Sequence, residues 1–359
     1  MIGRRTRRIA FGAIAISIAA LPACGTKDSS TPATTVVPAT LPVGPGTHAV
    51  PISTVTASSG SFATIQISVG GGSPVTVRLD TGSAGLVVNQ SALGPGATVT
   101  SQPTVIPYSG VTVTGSVATA QVTIGDVVTP QPISITVAQG ACPNANGGTT
   151  STNCTGGTPP FGGTQGILGI GLANGPTLAA PTYSPLLQLG PAYASGYTVE
   201  LASNGAGTLL LGPVPIASNS TTMPMTPTAP ATYPNGAPGF QKDAQLCWSF
   251  GVSSACGPTD FDLGAPEPNI APGAVAGLPT VSNSSGSTQA VKPGTNVGVS
   301  ASQTGPAFWQ FAAGTTPPTE VLINSNLGSA TTFNTGIGFF FSNFLGYDLA
   351  NSRFVITPQ

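Results

Sequence analysis

Charge is what this 359-residue chain has least of: Lys, Arg, Asp and Glu together make 5% of it, and His48 is the single histidine. That histidine falls in a Pro/Thr-rich stretch that reads as a tether, away from any expected core, which argues against histidine-dependent nucleophilic triads and leaves a cysteine nucleophile without a partner base; a histidine-rich zinc site is excluded by number. No glycine-rich phosphate or dinucleotide motif follows a strand and opens a helix. Neither a metal nor a cofactor is expected. Four of the nine basic residues, Arg4, Arg5, Arg7 and Arg8, crowd the first eight positions. The rest of the chain has no basic patch, so nucleic acid is not an expected partner. Carboxylate chemistry is what remains.

Turn formers, by contrast, are plentiful. The chain carries 48 Gly and 36 Pro, and Thr, Ser, Val and Ala dominate the rest. That mixture favours strands and turns and points to an all-β architecture. The length suffices for one large core or two medium ones.

Residues 1–24 stand apart: arginines, then the apolar run IAFGAIAISIAALPA, then Cys24. This pattern reads as an export signal and not a membrane span. Its end, LPAC, resembles a bacterial lipobox, with Cys24 as the lipidated residue and Pro22 an unusual occupant. The expected location is outside the cytoplasm, cell-surface or periplasm-facing, with the membrane touched only through the lipid. Ordinary secretion is the alternative. Residues 25–58 are rich in Pro and Thr and read as a tether.

Short period-2 runs follow, among them FATIQISV, VTVTGSVATAQVTIG and PISITVAQ, separated by Gly and Pro turns. SPLLQLG is the best short helix. Residues 59–213 read as a first lobe, the Pro/Thr-rich 214–245 as a connection, and 246–359 as a second lobe. Besides Cys24 there are Cys142, Cys154, Cys247 and Cys256, an even number suited to disulfides in an exported chain. Of the three pairings, the sequential one closes two short loops.

Two acids stand out. Asp80 ends the apolar strand VRL and is followed at once by Thr81, Gly82 and Ser83. Gly82 permits close backbone approach, and the two hydroxyls can hold a turn and bond a carboxylate. Asp262, in TDFDLGAPEP, repeats Asp-x-Gly with Gly264 in the other half of the chain. Asp260 is a weaker rival, lacking a glycine two residues on. Glu267 reads as a solvated loop carboxylate. Two acids face to face repel, share one proton and can activate one water.

The flanks of these motifs resemble the pepsin-like aspartic peptidases. FATIQISVGGGSPVTVRLDTGSAGLVV looks like the family's first strands and catalytic turn. Tyr108, in PYSGVTVTG, matches the tyrosine of the flap hairpin, whose tip includes Gly110. QGILGIGL resembles the family's hydrophobic-hydrophobic-glycine segment, with Gln165 in place of an acid. The resemblance covers residues 60–358. It implies a bilobal fold of two β-barrel-like lobes with a cleft between them, and a monomer that hydrolyses polypeptides with Asp80 and Asp262 as catalytic acids.

The second turn departs from the pattern. Leu263 replaces the usual Thr or Ser, and Ala265 replaces a residue that is often hydroxylated. Asn334, Thr335 and Gly336 stand where two apolar residues and a glycine are usual. In the family, paired hydroxyls bond across the lobes beneath the acids, and here only Thr81 has one. These departures, and separately the Gly/Pro/Thr content, give two alternatives to an enzyme. One is a catalytically inactive relative that binds peptides or a protein partner, and the other is a low-complexity surface spacer.

Overall fold

The protein is seen in a computed structural model that describes residues 41, 44–57, 60–108, 110–143, 154, 157, 159, 161–172, 183–283, 289–314, 320–327 and 332–359. Cys24, the signal segment and most of the tether lie outside these residues. Among the described residues the regular structure is strand, with only short 3-10 turns between. SPLLQLG supplies one of these, Pro185–Gln188, with the Ser184 hydroxyl accepting from the Leu186 amide at 3.2 Å. The fold is all-β and bilobal.

Two large sheets carry the chain, one of 15 strands and one of 9. In the first, His48–Ala57, Gly60–Val69 and Val75–Asp80 form successive antiparallel hairpins. Residues 48–57, expected in the tether, are therefore a strand. Their alternation survives Pro51, and they pair with Ala206–Leu211 as well as Gly60–Val69.

The segment Gly166–Ile170 inserts between two strands, parallel to Val75–Asp80 and antiparallel to Ala84–Asn89. The second sheet repeats this device. Phe333–Asn334 runs parallel to Ser253–Asp260 and antiparallel to Asn269–Ile270. Each insertion sits beside a strand that leads into one of the two Asp-x-Gly turns, so the topology places both turns in equivalent settings.

The chain's last hairpin, Asn343–Asp348 with Arg353–Pro358, joins the larger sheet through Gly196–Leu201 and carries Thr221–Pro224 on its outer edge. The first and last strands of the described residues thus build that sheet, and residues 214–245 are more than a connection, since they hold three strands.

One hydrophobic core runs through both halves and changes in kind between them. Val, Ile and Leu fill the first half, as with Ile67, Val69, Val77 and Leu79, all essentially inaccessible. The second half is aromatic: Trp248 stacks on Phe333 at 5.2 Å and meets Trp309 edge-on at 5.9 Å. Disulfides join Cys142 to Cys154 and Cys247 to Cys256, the sequential pairing. The second links directly opposed residues of an antiparallel pair of strands.

Candidate active site

Asp80 is the last residue of its strand, and its carboxylate is held by its own turn. Oδ1 accepts from the Gly82 amide at 2.8 Å and Oδ2 from the Ser83 hydroxyl at 2.5 Å. Asp262 is held the same way at first, its Oδ1 accepting from the amides of Gly264 and Ala265 at 2.7 and 3.0 Å. Ala265 has no hydroxyl to add. Instead the Asn334 amide donates to Oδ2 at 2.6 Å.

The two glycines show how close the turns come. A Cβ placed on Gly82 would stand 2.5 Å from Asp262 Cγ, and one on Gly264 would stand 2.6 Å from Asp80 Cγ. Only glycine leaves room for a facing carboxyl at both positions. The structure therefore brings Asp80 and Asp262 together on the floor of a cleft of about 540 Å³.

Proximity has an electrostatic consequence. Burial first, and then the charge on Asp262, push the Asp80 carboxyl up from 3.8 to about 6, against the lowering effects of Ser83, Gly82 and Arg78. A buried acid beside a second acid resists ionisation.

Beneath the acids, the Thr81 hydroxyl donates to the Phe261 carbonyl at 2.5 Å and accepts from the Leu263 amide at 2.7 Å. One side chain of the first turn thus satisfies two backbone groups of the second. Leu263, fully buried, returns nothing of the kind. Two cations make up the deficit. Arg78 Nη2 donates to the Gly264 carbonyl at 3.1 Å, and Lys242 Nζ donates to the Gly82 carbonyl at 3.2 Å.

Each cation is itself positioned. Arg78 lies over the Phe62 ring, 4.5 Å from its centroid. Lys242 is ion-paired with Asp260. Burial alone would lower the Lys242 ammonium, but Asp260, Asp243 and Asp262 outweigh it and push the group above its usual range. Asp260 is thus occupied by Lys242, while Asp262 is the acid that meets the first turn.

The remaining sequence-marked residues fall around this floor. Strands Thr98–Tyr108 and Val111–Ala120 form a hairpin that pairs Tyr108 with Val111, its tip containing Gly110 at φ 84°. Tyr108 is half-buried and lines the cleft. Burial, and then the Asp80 charge, raise its phenol well above the usual range, so it remains a neutral group. Glu267 is not a solvated carboxylate: it lines the cleft, and its Oε2 accepts from the Glu320 amide at 3.1 Å.

Sequence reasoning did not mark Arg78, Lys242 and Asn334 as site residues. A signal for the first two was present, because Arg78, Lys242, Lys292 and Arg353 are the only basic residues after Lys27. Among the described residues no cluster of His, Cys, Asp and Glu suits a metal ion.

Comparison with known proteins bears on the family and the fold. Residues 48–246, more than half of the chain, match the family described as the PE-PGRS C-terminal aspartyl peptidase-like domain. The chain belongs to that family. The matched stretch contains Asp80 and the flap and ends before Asp262. The crystal structure of aspartic proteinase from Irpex lacteus superposes with a TM-score of 0.54 at 18% identity, over 87% of this chain and 98% of that one. That likeness concerns the fold, which is the bilobal pepsin-like one. No curated protein matches the chain in sequence.

Proposed function

We propose that the protein is an aspartic endopeptidase. The observation that carries this reading is the mutual approach of Asp80 and Asp262, each carboxyl packed against the glycine of the other's turn. Such a pair holds one proton between two acids. The ionised member takes a proton from a water as its oxygen attacks the peptide carbonyl, and the protonated member gives its proton to the carbonyl oxygen. No metal or covalent intermediate is needed. An extended polypeptide fits the cleft, with the flap and Tyr108 closing over it and excluding water.

Leu263 and Ala265 favour a second reading, a surface protein that binds peptides in the same cleft without cutting them. A broad peptide library incubated with the protein at acidic pH separates the two. The peptidase reading expects cleavage that is blocked by a statine-type inhibitor and absent from Asp80→Asn and Asp262→Asn. Inhibitor binding without cleavage would instead establish the binding protein.

Export belongs to the same proposal: residues 1–24 direct the chain out of the cytoplasm and Cys24 carries the lipid. Cys24→Ser should release the protein from membranes, and unchanged membrane association would contradict this.

A further inference from the structure

Among the differences between the two turns, one lies in the inserted segments beside them. Ile167 lies opposite Arg78, and Asn334 lies opposite Asp260, each partner being two residues before its acid. Where the first half presents an apolar side chain to the cleft, the second presents an amide. We propose that Asn334 decides the division of labour within the acid pair: it holds the negative charge on Asp262, the base, and leaves the shared proton on Asp80, the acid. This rests on the peptidase reading for its catalytic meaning, though not for its test.

The orientation of the amide carries the argument. The Gly336 amide donates to Asn334 Oδ1 at 2.8 Å, which leaves the NH₂ group as the end that faces Asp262 Oδ2 at 2.6 Å. Turning the amide over would lose the Gly336 bond and set two oxygens against each other. An amide NH₂ donates and does not accept. Asp262 therefore receives three donors, Gly264, Ala265 and Asn334, and none of them can accept a proton from it.

Asp80 is treated otherwise. Its Oδ2 meets the Ser83 hydroxyl, which donates to a carboxylate and, after rotation, accepts from a carboxylic acid. Ala265, at the place of Ser83 in the second turn, offers no such choice. Burial of Asp80 and the Asp262 charge act in the same direction.

The other ionisable groups about the pair are Arg78, Tyr108, Lys242, Asp243, Asp260, Glu267 and Tyr347. Arg78 favours the ionised form of Asp80, so it opposes the polarity and does not create it.

The proton balance is complete. The water oxygen bonds to the carbonyl carbon while Asp262 takes a water proton and Asp80 gives its own to the carbonyl oxygen. In the second step the C–N bond breaks as Asp262 gives its proton to the leaving nitrogen and Asp80 regains one from a hydroxyl of the diol. Both acids end as they began.

The test is a carbon-detected carboxyl titration of Asp80 and Asp262 in the full chain, assigned with the two Asn variants, for wild type, Asn334→Ile and Asn334→Asp. In wild type Asp80 should keep its proton to the higher pH. Asn334→Ile, which copies the first half, should bring the two midpoints closer by about 1–2 pH units, the worth of one hydrogen bond to a charged group. Asn334→Asp keeps an acceptor for Gly336 and replaces the donor by an acid, so it should push the proton towards Asp262 even if the Ile variant fails to fold. Asp262 holding the proton longer in wild type, or unchanged spacing in a folded variant, would overturn the proposal. Absence of peptide cleavage with the expected titration would sink the peptidase reading alone.

Discussion

The turns at Asp80 and Asp262 have one backbone design and two chemical linings. Both end a strand beside an inserted parallel segment, and both use glycine to admit the opposite carboxyl. The Asp80 turn has hydroxyls at Thr81 and Ser83, an apolar neighbour in Ile167 and a cation in Arg78. The Asp262 turn has Leu263 and Ala265, an amide in Asn334 and an acid in Asp260 that brings in Lys242. The difference teaches that the geometry of an acid pair can be kept while the groups that keep it are exchanged. Where the second turn has no hydroxyl to offer the first, Arg78 and Lys242 bridge the turns by donating to backbone carbonyls.

The largest expected effect comes from removing either acid. Asp80→Asn and Asp262→Asn should each lower kcat/KM by at least about 10²–10⁴-fold, the usual worth of a positioned acid or base. Because the pair acts as a unit, the double variant should be scarcely slower than either single one. Steady-state cleavage of one peptide by the three proteins checks this, and survival of either single variant at wild-type rate would break the comparison at its root.

Lys242 is next. Lys242→Met leaves Asp260 buried without its partner and should cost about 3–5 kcal/mol in denaturant unfolding. Adding Asp260→Leu should recover much of that loss. A full loss retained in the double variant would mean that Lys242 acts chiefly through the Gly82 carbonyl.

The pH dependence comes third. The Asp80 carboxyl is raised from 3.8 to about 6 by burial and Asp262. The folded state therefore binds this proton more tightly than the unfolded state. Asp80's contribution is fully favourable below about pH 4 and is lost as pH rises through about 6. Glu200, buried and accepting from the Leu41 amide, is raised to about 7 and acts in the same direction. Cleavage should fall through about pH 6, where the pair gives up its last proton, and Asp80→Asn should flatten the stability profile between about pH 4 and 6. An unchanged profile in that variant would place the titration elsewhere.

The smallest effect is expected at Leu263. It is fully buried, so Leu263→Thr should cost about 1–3 kcal/mol of stability. Turnover should change little, because Arg78 and Lys242 already tie each turn to the other. A large rise in kcat would show that the missing hydroxyl limits the site.

Much of this was legible in the sequence because it is local. The run VRLDTGS states a strand, a turn and its hydroxyls within seven residues, and the flap is a hairpin whose halves are adjacent in the chain. Alternating β-branched residues pointed to the all-β class, and the spacing of the cysteines matched the pairing that formed.

What was illegible joins residues far apart. Arg78 reaches Gly264, and Lys242 reaches Gly82, across 186 and 160 positions. Asn334 is a departure from an apolar pattern in the sequence, and only its register places it beside Asp262. The strand His48–Ala57 was hidden by its proline and by the similar composition of the tether before it.

The proposed chemistry needs one pair of carboxyls acting on one oxygen. A crystal structure of the protein with a statine-type inhibitor measures this most directly. The inhibitor's hydroxyl should lie within about 3 Å of both the Asp80 and the Asp262 carboxyls, hydrogen-bonded to each. A hydroxyl bound to only one of them, or an inhibitor seated outside the cleft, would contradict the account.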